Sequence, residues 1–242
     1  MLAPKFPIKL LSIAANDRWP LRAVSLRLSV LGRLLLGGMV LVGLWSLATI
    51  PALAHHPLGG RLPANAFEGF LSGVAHPVIG LDHFAFVLAA GLIAATKRRG
   101  ILIPVAFVLA SLMGTGLHLM LWNLPAPELI VSASVLAFGA ILAVGDKLNL
   151  AFVLGLGALA GVFHGYAYGE AIFGAEMSPL VAYLAGFAVI QLVISLLFFA
   201  IGCAVLKKVP ERPTDRPALS LRFAGFTLAG VGLAFLSSVM LG

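Results

Sequence analysis

The chain alternates between long apolar runs and short polar gaps. Six runs cover roughly 67–95, 101–121, 129–144, 149–169, 180–206 and 219–241. At about 1.5 Å of helix rise per residue, even the shortest nearly crosses a hydrocarbon core about 30 Å thick. None alternates with period two, and all exceed the roughly ten-residue strands of an outer-membrane barrel. The pattern predicts an all-α, polytopic helical membrane protein with six transmembrane helices. A further apolar stretch, 34–50, comes first. It follows a segment bearing Lys5, Lys9, Arg18, Arg22, Arg27 and Arg33, and it precedes Pro51 and Ala52-Leu53-Ala54. Basic region, apolar region and small-x-small site are the order of a secretory signal. The expected organisation is a signal peptide, or an uncleaved first helix, over 1–54 and a six-span membrane domain over 55–242. Cleavage after Ala54 would make His55 the mature N-terminus.

Composition supports this reading. The chain is 61% hydrophobic and 10% charged, with a mean hydropathy of +1.08. Soluble domains average about 45–50% apolar and about 25% charged residues. Soluble globular and disordered classes are thereby excluded. The formal charge of +7 does not point to nucleic acid, because no basic face carries interleaved aromatics. The basic residues instead lie in the gaps and report orientation. With residue 55 outside, the inner gaps carry Lys97, Arg98, Arg99, Lys147, Lys207, Lys208, Arg212, Arg216 and Arg222, whereas the outer ones carry only Arg61. This bias places Lys and Arg inside. It predicts that both mature ends lie on the outer side of the membrane. Cys203 is the single cysteine, so an internal disulfide and a Cys-rich metal site are excluded.

The chemistry must come from ionisable groups within the runs. Such groups cost about 2.5–3.5 kcal/mol each at the centre of a helix on insertion scales, and by default they mark function. The candidates are His76, Asp82, His83, His118, His164 and Glu170. His76 and His83 are seven apart, so they share a helix face about 10 Å apart along the axis, too far to bind one ion in a straight helix. Pro77 and Gly80 lie between them, and a kink or unwound turn there would bring His76, Asp82 and His83 together. His164 and Glu170 repeat the spacing of His76 and Asp82. Gly73-Val74-x-His76 and Gly161-Val162-x-His164 are 88 residues apart, which is three spans. That suggests a 3+3 inverted repeat with helices 1 and 4 interrupted, the pattern that points to a transporter's midplane site. His118 fits a structural histidine bonded to a carbonyl as well as a ligand. Glu68 and Glu176 read as rim charges, and Asp146 as a loop charge beside Lys147.

Imidazole and carboxylate without thiolate suit nickel, cobalt or zinc. The expected partners are therefore a divalent metal ion and the lipid bilayer, with no nucleic acid; a homo-oligomer is compatible with the sequence. The metal is read as cargo, not as a tightly bound cofactor. His55 and His56, with the freed amine, are further candidate ligands at the outer rim.

The segment His76-Pro-Val-Ile-Gly-Leu-Asp82-His83 resembles the His-x5-Asp-His signature of the HupE/UreJ family. Phe163-His164-Gly165-Tyr-Ala167-Tyr168-Gly169-Glu170 resembles its second signature, Phe-His-Gly-x-Ala-His-Gly-x-Glu, with Tyr168 in place of a histidine. His55-His56-Pro57 is similar to the family's histidine at the cleaved N-terminus. The resemblance covers the whole chain. It implies a bacterial secondary permease for nickel or cobalt, with the metal carried by His76, Asp82, His83, His164 and Glu170. It also implies that Tyr168, a poor ligand for such an ion, shifts metal preference, weakens affinity or leaves His118 to compensate. Two other classes compete: an intramembrane zinc-dependent hydrolase with three histidines and an acid, and a haem anchor with two axial histidines.

Overall fold

The computed structural model describes residues 61–145, 148–207 and 218–241. The expected signal segment, His55, His56, Asp146 and Lys147 lie outside them. The described residues form seven helices: α1 Ala66–Ile79, α2 Leu81–Ala95, α3 Leu102–Leu119, α4 Pro127–Val144, α5 Leu150–Glu170, α6 Met177–Lys207 and α7 Leu219–Leu241. Their limits follow local chemistry. Asn65 and Asn149 cap α1 and α5, each side chain accepting from the backbone N–H three residues on, at 2.9 and 2.8 Å. Pro127 opens α4, where its missing donor removes nothing.

Helices α3 to α7 are each long and apolar enough to cross a membrane. The run 67–95 differs. It breaks at Gly80 into α1 and α2, which are bent by 79°. Pro77 has no N–H to donate and strains the helix around it. Gly80 then adopts an extended backbone and closes α1 with a bond from its N–H to the His76 carbonyl. A side chain at residue 80 would collide with the His83 ring, its Cβ falling 2.7 Å from Cδ2. The turn therefore requires glycine for close approach.

The bent pair nevertheless runs from one end of the bundle to the other. Gly69 of α1 lies on Pro179, in the first turn of α6, and Gly73 lies on Tyr183 and Phe187. Further along, Gly91 of α2 lies on Ser195, and Ala95 meets Gly202. From residue 179 to residue 202, α6 rises about 35 Å. The pair α1–α2 therefore runs parallel to α6 along its length. In the same way α3 runs parallel to α5: Phe107 and Ala110 lie on Gly161, Ser111 on Gly165 and His118 on Gly169. Helices α4 and α7 are antiparallel, with Leu136 on Gly232 and Ala143 on Gly225. These seams bring backbones together at small residues, the packing that serves where lipid offers no hydrophobic drive. The core of the bundle is α2, buried on all sides from Ala85 to Ala94. It packs against α6, α4, α7 and α3. A helix apolar all round needs such a position.

The expected interruption of the fourth span is not found: α5 is continuous from Leu150 to Glu170. It contains no proline, and Gly165 and Gly169 are pressed onto α3 within a regular helix.

Candidate site at the broken helix

The break at Gly80 brings His76, at the end of α1, near His83, at the start of α2. Their ring centroids are 5.9 Å apart. His164 of α5 joins them, with its centroid 4.8 Å from that of His83. All three are buried, His164 completely. The cluster lies below one end of the bundle. His164 is six residues before the last residue of α5, about 9 Å along its axis.

The hydrogen bonds assign the ring protons. The Tyr183 hydroxyl lies 3.0 Å from the Tyr168 carbonyl and 2.8 Å from His76 Nδ1. A carbonyl has no proton, so the hydroxyl donates to it and must accept from Nδ1–H. His76 in its neutral form then carries its lone pair on Nε2. Ser134 obeys the same logic. Its hydroxyl donates to the Val131 carbonyl at 2.7 Å, so His164 Nε2, at 3.0 Å, donates to Ser134 Oγ. Neutral His164 therefore accepts at Nδ1, and His83 Nδ1, at 2.8 Å, is the donor. His83 likewise keeps its lone pair on Nε2. Each imidazole is oriented by a bond from its other nitrogen, as metal-binding histidines commonly are. For His164 the neutral ring uses both nitrogens within the protein.

Tyr168 of α5 packs against both of the first two rings. Its ring centroid is 4.9 Å from that of His76 and 4.5 Å from that of His83. It is fully buried, and its hydroxyl has no hydrogen-bond partner. Below it the Phe187 ring packs on both Tyr168 and Tyr183, at 5.3 and 5.7 Å. Phe86 and Phe107 wall His164 on the other side.

The other expected site residues are dispersed. Asp82 is half-buried in the first turn of α2, where Oδ1 accepts from the His83 backbone N–H at 2.8 Å. An acid there is favoured by the helix dipole. Glu170 is exposed at the end of α5. His118 packs on Tyr166 and Phe173 at the edge of α5 and not on the histidines; its Nδ1 is buried without a partner. Among the described residues, no three His, Cys, Asp or Glu side chains converge enough to hold a metal ion as they stand. The hydrolase reading, which needs such a preformed set, gains no support. Tyr183, Ser134 and Gln191 were not legible as functional residues from the sequence. Each stands between two apolar residues in an apolar run.

A sequence profile described as HupE / UreJ protein matches residues 43–235. The chain belongs to the HupE / UreJ family. It is 32% identical over 163 residues to Protein HupE of Rhizobium leguminosarum bv. viciae, covering 65% of this chain and 79% of that protein. No solved structure matches it. The profile includes both histidine segments, so the residues that meet at the break lie within the family's shared region.

Proposed function

We propose that this protein is a secondary permease that moves a divalent transition-metal cation, nickel or cobalt, inward across a bacterial inner membrane. The observation that carries the reading is the broken helix: it brings two buried imidazoles, His76 and His83, to within 5.9 Å of each other, each anchored at Nδ1. Family membership, and the nickel or cobalt permeases that the resemblance implies, agree with it. Zinc is the competing cargo.

The charge distribution supplies a direction. The end of the bundle nearest the histidines bears Glu68, Glu128, Glu170 and Glu176 with Arg61; the far end bears Lys97, Arg98, Arg99, Lys207 and Arg222. The basic end is read as cytoplasmic. An acidic outer end raises the local concentration of cations before entry. The hydrated ion then exchanges water for Nε2 of His76 and His83, and the Asp82 carboxylate neutralises part of its charge. Tyr168 must swing aside to admit it. His164 holds His83 in the ligating tautomer. The ion leaves toward the basic end.

The test is accumulation of labelled nickel, cobalt and zinc in competition, in cells producing the protein. His76→Ala and His83→Ala, retained in the membrane at normal amounts, are expected to reduce accumulation to background. Normal accumulation in either variant would remove the site.

A further inference from the structure

A second polar group lies deeper in the bundle, and the histidine cluster does not use it. Gln191 is the sole glutamine of the chain. It is residue 15 of the 31 in α6, at the middle of the longest helix. It is fully buried. Its Nε2 donates to the Phe187 carbonyl at 3.1 Å, while its Oε1 has no hydrogen-bond partner. An unpaired buried acceptor is rare, and each one calls for an explanation.

Its surroundings form a track. Tyr183, Phe187, Gln191 and Ser195 follow one another at four-residue intervals and are all buried, so they share the face of α6 turned to the α1–α2 pair. Tyr183 marks the level of the histidine cluster through its bond to His76. Gln191 lies eight residues further, about 12 Å toward the basic end. Phe187, whose ring packs on Tyr168 and Tyr183, stands between the two levels. One turn below Gln191, the Ser195 hydroxyl makes only a long bond, 3.4 Å, to the Val87 carbonyl of α2. The face therefore reads cluster, aromatic floor, amide oxygen, loosely held hydroxyl.

We infer that Gln191 is a second cation station: its Oε1 receives the partly hydrated divalent ion after it passes Phe187, with Ser195 next in line. A neutral oxygen suits this task. It stabilises a cation in a dry interior without the deep well that a carboxylate would create, so the ion can leave again. The inference rests on the permease reading. It adds a site on α6 to which neither histidine segment contributes.

The experiment compares wild type, Gln191→Leu and Gln191→Glu, using nickel as the probe in two assays: equilibrium binding to purified protein and initial uptake by cells. Leucine removes an unpaired amide and is close in volume, so the fold should hold, with thermal stability equal to wild type or higher. The expected result for Gln191→Leu is nickel binding within about twofold of wild type, because the cluster is intact, and a maximal uptake rate at least about tenfold lower. Gln191→Glu should bind nickel more tightly than wild type and take it up more slowly, because the carboxylate deepens the well; a Glu variant with wild-type binding and rate overturns the station. Uptake by Gln191→Leu at the wild-type rate overturns the station. Equal loss of binding and uptake also overturns it, because Gln191 would then be serving the cluster. Wild type that accumulates no nickel, cobalt or zinc overturns the permease reading itself, and the station with it.

Discussion

His164 can be tested as a positioning residue by two substitutions of similar polarity. In the neutral cluster its Nδ1 accepts from His83 at 2.8 Å and its Nε2 donates to Ser134 at 3.0 Å. The side-chain oxygen of asparagine stands near the place of Nδ1, whereas the amide of glutamine reaches toward that of Nε2. His164→Asn therefore keeps the acceptor that orients His83, and His164→Gln loses it. Leaving a buried donor such as His83 Nδ1–H unsatisfied costs about 1–3 kcal/mol. If that cost falls on the ligating geometry, nickel affinity drops by about 5- to 150-fold. This overlaps the range of about 10–100-fold typical of outer-shell partners of metal ligands. Both variants lose the ring that packs on Phe86 and Phe107, so the packing loss largely cancels in the comparison. The assay is calorimetric titration of purified protein with nickel, with uptake measured in parallel. Asparagine is expected to stay within about threefold of wild type, with the larger loss confined to glutamine. If both variants lose binding alike, His164 is itself a ligand and the tautomer assignment is wrong. If neither loses binding, the bond to His83 has no role.

Two more substitutions probe the rings around the break. Tyr168→Phe removes a buried hydroxyl that has no partner, so stability should rise by up to about 1–3 kcal/mol with transport retained, as thermal melts and uptake would show; loss of uptake would make the phenol a ligand. Tyr168→His replaces the bulky ring with a third imidazole, and nickel should bind more tightly in competition with cobalt; unchanged affinity would count against a site at this position. Tyr183→Phe removes the acceptor of His76 Nδ1–H and the donor to the Tyr168 carbonyl. Nickel affinity should fall by about 10–100-fold, and a wild-type titration curve would refute that role.

Much of this architecture is legible in the sequence. Five of the six apolar runs became single helices with limits within a few residues, because an uninterrupted apolar run in lipid has few alternatives. The break was legible too: Pro77 and Gly80 each weaken a helix for a separate reason. The matching spacing of His164 and Glu170 misled, because the same six-residue interval lies across a bend in one half and along a straight helix in the other. In continuous α5, six residues turn the chain by about 600°, so Glu170 points away from His164. The partners that assign the tautomers were not legible. Whether Tyr183 meets His76, or Ser134 meets His164, depends on which helices pair, and apolar runs of similar composition do not specify that. Gln191 was averaged away in the most apolar run of the chain.

The helix pairing bears on the relation between the two halves. Count α1–α2 as the first span and α3 to α7 as the second to sixth. The tight seams join first with fifth in parallel, second with fourth in parallel, and third with sixth antiparallel. Exchanging spans one to three with four to six maps the first seam onto the second and the third onto itself, with every direction preserved. Gly73 and Gly161, which are 88 residues apart, each rest on the backbone of the helix they pair with, the first at Tyr183 and Phe187 and the second at Phe107. Two inverted halves would produce this scheme. The departure from it is local. The first span bends at Gly80 and supplies His76 and His83, whereas α5 stays straight and supplies the wall, His164 and Tyr168. A bend in both halves would have placed two equivalent clusters in the bundle. With one bend there is one cluster, near one end, and under the proposed permease function an ion leaving it would have to cross the rest of the interior. Gln191 is buried in that interior, on the span that packs against the bent pair from end to end.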